Sequence, residues 1–99
     1  MSVLEAKKVE KIAKRIAVSN LTSANVSSIL SSTTTDSTGH AAVKITIVIP
    51  PEAETRINGD AALDTLVQIQ SRLRDEGDDR TPIVEYVTRK ELKEKRDDN

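Results

Sequence analysis

The sequence predicts a small α+β domain, a two-layer sandwich of order α-β-β-α-β with two helices on one face of a three-stranded mixed sheet. Three observations predict it: an amphipathic helical pattern near the N-terminus, a second one in the later half, and an alternating strand between them. A chain of 99 residues has room for one core. We therefore assign residues 1–92 to a single domain and residues 93–99 to a flexible charged tail.

The first helix is predicted over residues 3–18. Its apolar side chains recur with the helical period and share one face: Val9, Ile12, Ala13 and Ile16. Five cations gather on the opposite face, and these are Lys7, Lys8, Lys11, Lys14 and Arg15. A solvated outer face is the simplest interpretation of this pattern, but such a face also suits phosphates, an anionic membrane surface or an acidic protein.

Residues 19–40 admit two interpretations, because Ser and Thr make up more than half of them. In the first, residues 26–35 form a strand, residues 36–39 form a turn, and the following strand pairs back antiparallel. Asp, Ser and Gly suit such a turn, and a run of threonines suits a strand. We favour this hairpin.

In the second interpretation, Ser23 caps a short helix that completes a helix-turn-helix within residues 9–31. Two facts count against it. The connection over residues 20–24 is long for this motif, and the second helix would carry no Arg, Lys or Gln for DNA.

The clearest strand pattern covers residues 43–49, where apolar residues alternate with Lys44, Thr46 and Val48. This alternation indicates one buried and one wetter face of the sheet. Residues 82–88 form the last strand, and the sequence leaves open whether Tyr86 or Glu85 faces the wetter side.

The second helix is predicted to begin after Asn58-Gly59-Asp60, with Asp60 as its N-cap, and to end at Gly77. A strand, a helix of this length and a strand form a right-handed crossover, so the two strands it joins should be parallel.

Composition excludes several kinds of chemistry. The chain has no cysteine, one histidine, one aromatic residue and three glycines, and its net charge is −1. These shortages leave no thiolate nucleophile, no cysteine-based zinc site, no glycine-rich phosphate loop and no row of aromatic residues for stacking bases. We predict a cytoplasmic protein that is not an enzyme, binds no cofactor or metal, and does not act on membranes.

Two further features contain residue types that occur in catalytic or metal sites: the single histidine and an acidic run. His40 lies at the predicted turn, and no spacing rule singles out a nucleophile for it, so we interpret it as an exposed turn residue. The acidic run at residues 75–79 lacks the ligand spacing of a calcium loop, which favours a solvated helix end balanced by nearby arginines.

The function we predict is protein binding or assembly through an open sheet face or edge, with self-association as one form of it. The predicted contact residues are Lys44, Thr46, Val48, Val84, Tyr86 and Thr88. The alternative is a DNA-binding regulator that uses a degenerate helix-turn-helix in residues 9–31 and the five cations of the first helix.

Overall fold

The computed structural model describes residues 4–97, with side chains as far as Glu94. Its helices and strands are, in chain order, α1 (Ala6–Leu21), β1 (Ser28–Thr35), β2 (Ala41–Ile49), α2 (Gly59–Asp75), β3 (Thr81–Thr88) and α3 (Arg89–Asp97). Short 3₁₀ helices connect α1 to β1 and β2 to α2, at Ser23–Asn25 and Pro51–Thr55. The predicted α+β fold class and the predicted element order are confirmed.

The three strands form one sheet in the order β1-β2-β3, with β2 in the centre. β1 runs antiparallel to β2 and places Ser31 opposite Ile45. β2 runs parallel to β3 and places Ile47 beside Tyr86, as expected for two strands joined through α2. The outer edges of β1 and β3 pair with no other strand of the described chain.

The core lies between the sheet and the two long helices. β2 contributes Ile45 and Ile47, both fully buried, and α2 contributes Ile69 and Leu73. α1 closes the layer with small or branched residues, namely Val9, Ala13 and Ala17. Because burying one branched aliphatic side chain is worth about 1.5–3 kcal/mol, these contacts stabilise a core that contains almost no aromatic surface.

The hairpin interpretation of residues 19–40 is confirmed, and the helix-turn-helix is wrong as a structure. Ser23–Asn25 forms a single 3₁₀ turn, after which the chain enters β1 instead of a second helix. The strand conformation lets Ile29 pack opposite Ile47 in the buried layer, and its backbone joins the ladder of β2. A short Ser-rich helix is less favourable here, because serine side chains compete for backbone hydrogen bonds and favour caps and turns over helix interiors.

The face assignment of β3 corrects our contact set. Val84 and Tyr86 lie on the face that the helices cover and pack against the core, so they do not share a face with Lys44. Thr88 follows the same alternation and is also buried. The residue beside Thr46 on the second face is Glu85, which is the other phase that the alternation allowed.

Both ends of α2 have defined caps. Its N-cap is Asn58, whose Oδ1 accepts the amide of Ala61 at 2.7 Å, so the prediction of Asp60 for this role was wrong by two residues. Asp60 lies in the first turn instead, where its negative charge interacts favourably with the helix dipole. Gly77 follows the C-terminus with φ +90°, which confirms the predicted stop, because glycine adopts this conformation without strain.

α3 begins directly at the end of β3 through a capping box. The amide of Glu91 donates to Thr88 Oγ1 at 3.2 Å, and Glu91 Oε1 accepts the amide of Thr88 at 2.9 Å. The helix continues to Asp97, so the segment 93–99 that we predicted as a tail is helical for most of its length. Residues 98 and 99 lie outside the described chain.

Candidate protein-binding site

The second face of the sheet carries polar side-chain pairs and is partly covered by α3. Lys44 Nζ lies 3.5 Å from Glu85 Oε1, and Thr46 Oγ1 donates to the same oxygen at 2.9 Å. Thr46 and Val48 are only 8% and 2% exposed, and Leu92 of α3 lines the same shallow depression. Of the predicted contact residues on β2, Thr46 and Val48 therefore offer a partner little free surface, whereas the side chain of Lys44 is 40% exposed.

The free edge of β1 is occupied near its middle. Glu10 of α1 accepts the backbone amide of Ser31 at 3.0 Å and its hydroxyl at 2.9 Å, both through Oε2. A carboxylate at this position takes the amide that an added strand would need, and it brings a charge to the edge. This arrangement protects β1 against pairing with another chain.

The free edge of β3, in contrast, presents backbone groups at Val84 and Tyr86. The amide of Thr88 donates to Glu91 and not to β2, so it points to the outer edge of the strand. Pro82, at the other end of β3, has no amide hydrogen. Since successive amides of a strand alternate in direction, those of Val84 and Tyr86 point to the outer edge as well. The two predicted residues thus have covered side chains but open backbones.

An apolar strip on α2 lies beside this edge. Leu63 and Val67 are one helical turn apart and are 58% and 53% exposed, the highest values among the large apolar side chains described as exposed. α1 contacts the other side of α2, where the side chain of Asn20 donates to Thr65 and Gln68. Because α1 packs on β1 and α2 packs on β3, the side of α2 that is turned away from α1 lies toward the free β3 edge. Leu63 lies on that side, and Val67 lies one turn further along and closer to the outer face of the helix.

Opposite charges stand at the two ends of the strip. Asp60 lies in the first turn of α2, and Arg74 lies in the last turn, on the same side of the helix as Val67. Neither side chain makes an ion pair with the described residues. We refer to Leu63, Val67, Asp60, Arg74 and the outer backbone of β3 as the β3–α2 surface.

No protein-family model, curated protein or solved structure matches this chain.

Across the described residues, no group of histidines and carboxylates is arranged to hold a metal ion. None of the helices in residues 4–97 combines the length and the apolar character needed to span a membrane.

The basic face predicted for the first helix divides into two parts. Lys8, Lys11 and Arg15 line a depression between α1 and α2, whereas Lys7 and Lys14 lie outside its lining and are exposed. With no recognition helix beside them, these cations do not belong to a helix-turn-helix.

His40 belongs to the hairpin turn, as expected, and is held there by Asp36. Asp36 Oδ1 accepts the amide and the hydroxyl of Thr38 and the amide of His40, at distances between 2.7 and 3.0 Å. These hydrogen bonds, led by the one from the Thr38 hydroxyl, lower the pKa of Asp36. The Thr38 hydroxyl also contacts His40 Nδ1 at 2.7 Å, and the imidazole itself remains exposed.

The acidic run after α2 contains one buried member. Asp78 is 1% exposed and forms an ion pair with Arg80, with 2.7 Å between Oδ2 and Nη2. The backbone of Leu4 joins the pair, because its amide donates to Asp78 and its carbonyl accepts from Arg80. The hydrogen bonds from Arg80 hold the pKa of Asp78 below its usual value, and the carboxylate raises that of Arg80.

The hydroxyl of Tyr86 is buried between the sheet and α2 and lacks a hydrogen bond of good geometry. Burial raises the pKa of Tyr86, and the nearby Thr65 hydroxyl partly offsets this effect. Thr65 directs its own hydrogen to the carbonyl of Ala61 at 2.8 Å, which leaves the tyrosine the weaker contact. The side chain acts as apolar filling for the core.

Sequence reasoning missed the strip on α2, although a signal for it was present. In the sequence, the apolar residues of this helix spread over a wide face that includes Leu63 and Val67 as well as Ile69 and Leu73. One helix packed on one sheet buries a narrower stripe. The excess width was the sign of a second apolar surface.

Proposed function

We propose that the protein is a small non-enzymatic assembly module that associates with a second copy of itself through the β3–α2 surface. One observation carries the proposal: two large, exposed apolar side chains, Leu63 and Val67, lie beside an unpaired strand edge. A strand edge supplies directional hydrogen bonds to a second strand. An adjoining apolar strip stabilises the contact, because its side chains are buried when the two copies meet.

A two-fold axis satisfies both parts of the surface at once. If β3 pairs antiparallel with β3 of the second copy, two three-stranded sheets become one continuous sheet. α2 runs opposite to β3, because it is the crossover between parallel strands, so the two α2 helices also lie antiparallel. Val67, near the middle of α2, then lies close to the axis and meets its own copy.

The register of this pairing follows from the second face of the sheet. An axis through Glu85 would place two carboxylates directly opposite each other, which is unfavourable. An axis through Val84 instead places Glu85 opposite Ile83 of the second copy. In this register the outer amides of Val84 and Tyr86 can still donate to the second copy. Tyr86 lies opposite Pro82, which has no amide hydrogen but does have a carbonyl that accepts. We therefore centre the pair on Val84.

The charges at the ends of the strip support a second copy as the partner. In antiparallel α2 helices, Asp60 of one copy approaches Arg74 of the other, and the two-fold axis generates this attraction twice. Exposed ion pairs contribute little stability but fix orientation, and here they favour the antiparallel arrangement over a parallel one.

The direct test is the molar mass of the protein in solution, measured by sedimentation equilibrium over a range of concentrations. We expect a monomer–dimer equilibrium for the unchanged chain. Val67→Arg should weaken the dimer about a hundredfold or more, because it places two buried like charges at the axis. Ser19→Arg, which adds the same charge to an exposed position on α1, is the matched control and should leave the equilibrium unchanged. A monomer at all concentrations up to about 1 mM would contradict the proposal.

A further inference from the structure

A depression with a cationic rim lies between α1 and α2, on the side of α2 away from the strip. Its volume is about 350 Å³. Ile12 and Ile16 form an apolar floor, and the rim consists of four cations: Lys8, Lys11, Arg15 and Arg72. Depressions of this size and lining are in the range of small-molecule sites, and this one is independent of the β3–α2 surface.

The cations oppose the stability of the helix that carries them. Lys11 lies one helical turn from Lys7, from Lys8 and from Arg15, and like charges at these spacings repel. The first turn of α1 contains Lys7 and Lys8 and no acidic residue, although the helix dipole favours negative charge there, which only the N-cap residue Glu5 supplies. The stability of α1 therefore does not favour this concentration of charge.

Part of the rim is available to a ligand. Glu76 pairs with Lys8 at 3.1 Å and approaches Arg72 at 3.7 Å, so one carboxylate is shared between two cations at one end. Lys11 and Arg15 make no ion pair with the described residues, and both are exposed. An anion entering the depression meets two uncompensated cations at once.

We propose that this depression binds single molecules of a small amphiphilic anion, and not its micelles. The carboxylate or phosphate head of the ligand would lie among Lys11, Arg15 and Arg72. The apolar body of the ligand would lie on Ile12 and Ile16. A membrane surface is a poorer occupant, because α1 has no aromatic residue and its exposed face has no bulky apolar side chain to insert.

The experiment uses decanoate below its micelle concentration as the probe, titrated into the isotopically labelled protein and followed by amide chemical shifts. We expect saturable shifts at Ile12, Ile16 and Arg72. Inorganic phosphate lacks the apolar body and decanol lacks the charge, so each should bind at least about tenfold more weakly than decanoate. Equal affinity for either of these would overturn the proposal, as would binding only to anionic vesicles.

A matched pair of double variants separates local binding from bulk charge. Lys11→Gln with Arg15→Gln should weaken decanoate binding about tenfold. Lys7→Gln with Lys14→Gln changes the net charge equally but lies outside the depression, and it should leave the affinity unchanged. An equal loss in both would show non-specific attraction and overturn the site.

Removal of Glu76 gives a test in the opposite direction. Glu76→Gln frees Lys8 and Arg72, so decanoate should bind about threefold more tightly. Weaker binding in this variant would contradict the placement of the head group. The depression lies away from the β3–α2 surface, so decanoate binding should not depend on dimerisation. The dimer-weakening variant Val67→Arg should therefore bind decanoate with the same affinity as the unchanged chain.

Discussion

Asp78 and Arg80 hold Leu4 against the loop that follows α2. The ion pair is almost fully buried, and both partners also bond to the backbone of Leu4. A buried pair contributes modest net stability, but the loss of one partner leaves an uncompensated charge and costs about 3–5 kcal/mol. This contact ties together two segments that are far apart in the sequence.

Asp78→Asn should therefore lower the free energy of unfolding by about 3 kcal/mol at pH 7. The folded-state pKa of Asp78 is depressed, so its contribution is complete above the unfolded value of about 3.9 and is lost as the pH falls further. Urea unfolding at pH 7 and at pH 3 should show the difference between the two proteins shrinking in acid. Asp79→Asn, at the exposed neighbour, is the control, and a pH-independent difference would contradict this account.

The sequence could not single out Asp78 within the acidic run. Four carboxylates lie within five positions, and the pattern correctly indicated that most of them are solvated. Which one turns inward depends on the left-handed conformation of Gly77 and on the approach of Leu4, a contact between distant parts of the chain. Periodicity carries no information about such a contact.

Among the elements, β1 and β3 treat their outer edges differently. Glu10 covers the outer edge of β1 near its middle by accepting the amide of Ser31. On β3, the capping box engages only the last amide, that of Thr88, and the outer amides of Val84 and Tyr86 stay open. An edge left open beside an apolar strip, in a sheet whose other edge is protected, indicates where association should occur.

Glu10→Ala should expose the β1 edge. We expect a loss of about 1–2 kcal/mol in the free energy of unfolding, because a charged hydrogen bond to the Ser31 amide disappears. The exchange of that amide with solvent should become faster. Glu10→Gln retains an acceptor oxygen and should lose less, and equal losses in the two variants would show that the contact with Ser31 is not responsible.

Thr88→Val should loosen α3, because it removes the hydroxyl that accepts the amide of Glu91 while keeping the shape of the side chain. The expected cost is about 1 kcal/mol, with increased amide exchange in the first turn of α3. Thr88→Ser keeps the hydroxyl and is the matched control. Unchanged exchange in the valine variant would argue against the capping box.

The presence of each helix and strand could be predicted from the sequence, but the sheet face to which the side chains of β3 point could not. β2 alternates branched residues with Lys44 and Thr46, so its buried side is evident. In β3, both sets of alternate positions contain apolar residues, with Ile83 and Val87 on one side and Val84 and Tyr86 on the other. The pairing with β2 decides between them, and this information is not local.

At the scale of the whole molecule, α2 separates two surfaces of different character. One side carries the apolar strip and faces the free edge of β3, and the other contributes Arg72 to the cationic depression. The wide apolar face and the cluster of lysines were both visible in the sequence. Only their distribution around α2 shows that they form separate surfaces, which association and ligand binding could use at the same time.

The most direct test of the two-fold assembly is a charge exchange between Asp60 and Arg74. Asp60→Arg or Arg74→Asp alone places like charges together twice in each dimer, and either change should weaken self-association about tenfold. An equimolar mixture of the two variants restores both attractions in the mixed dimer. Sedimentation equilibrium should therefore show that the mixture dimerises more tightly than either variant alone. A mixture that associates no better than its components would contradict the antiparallel α2 pair.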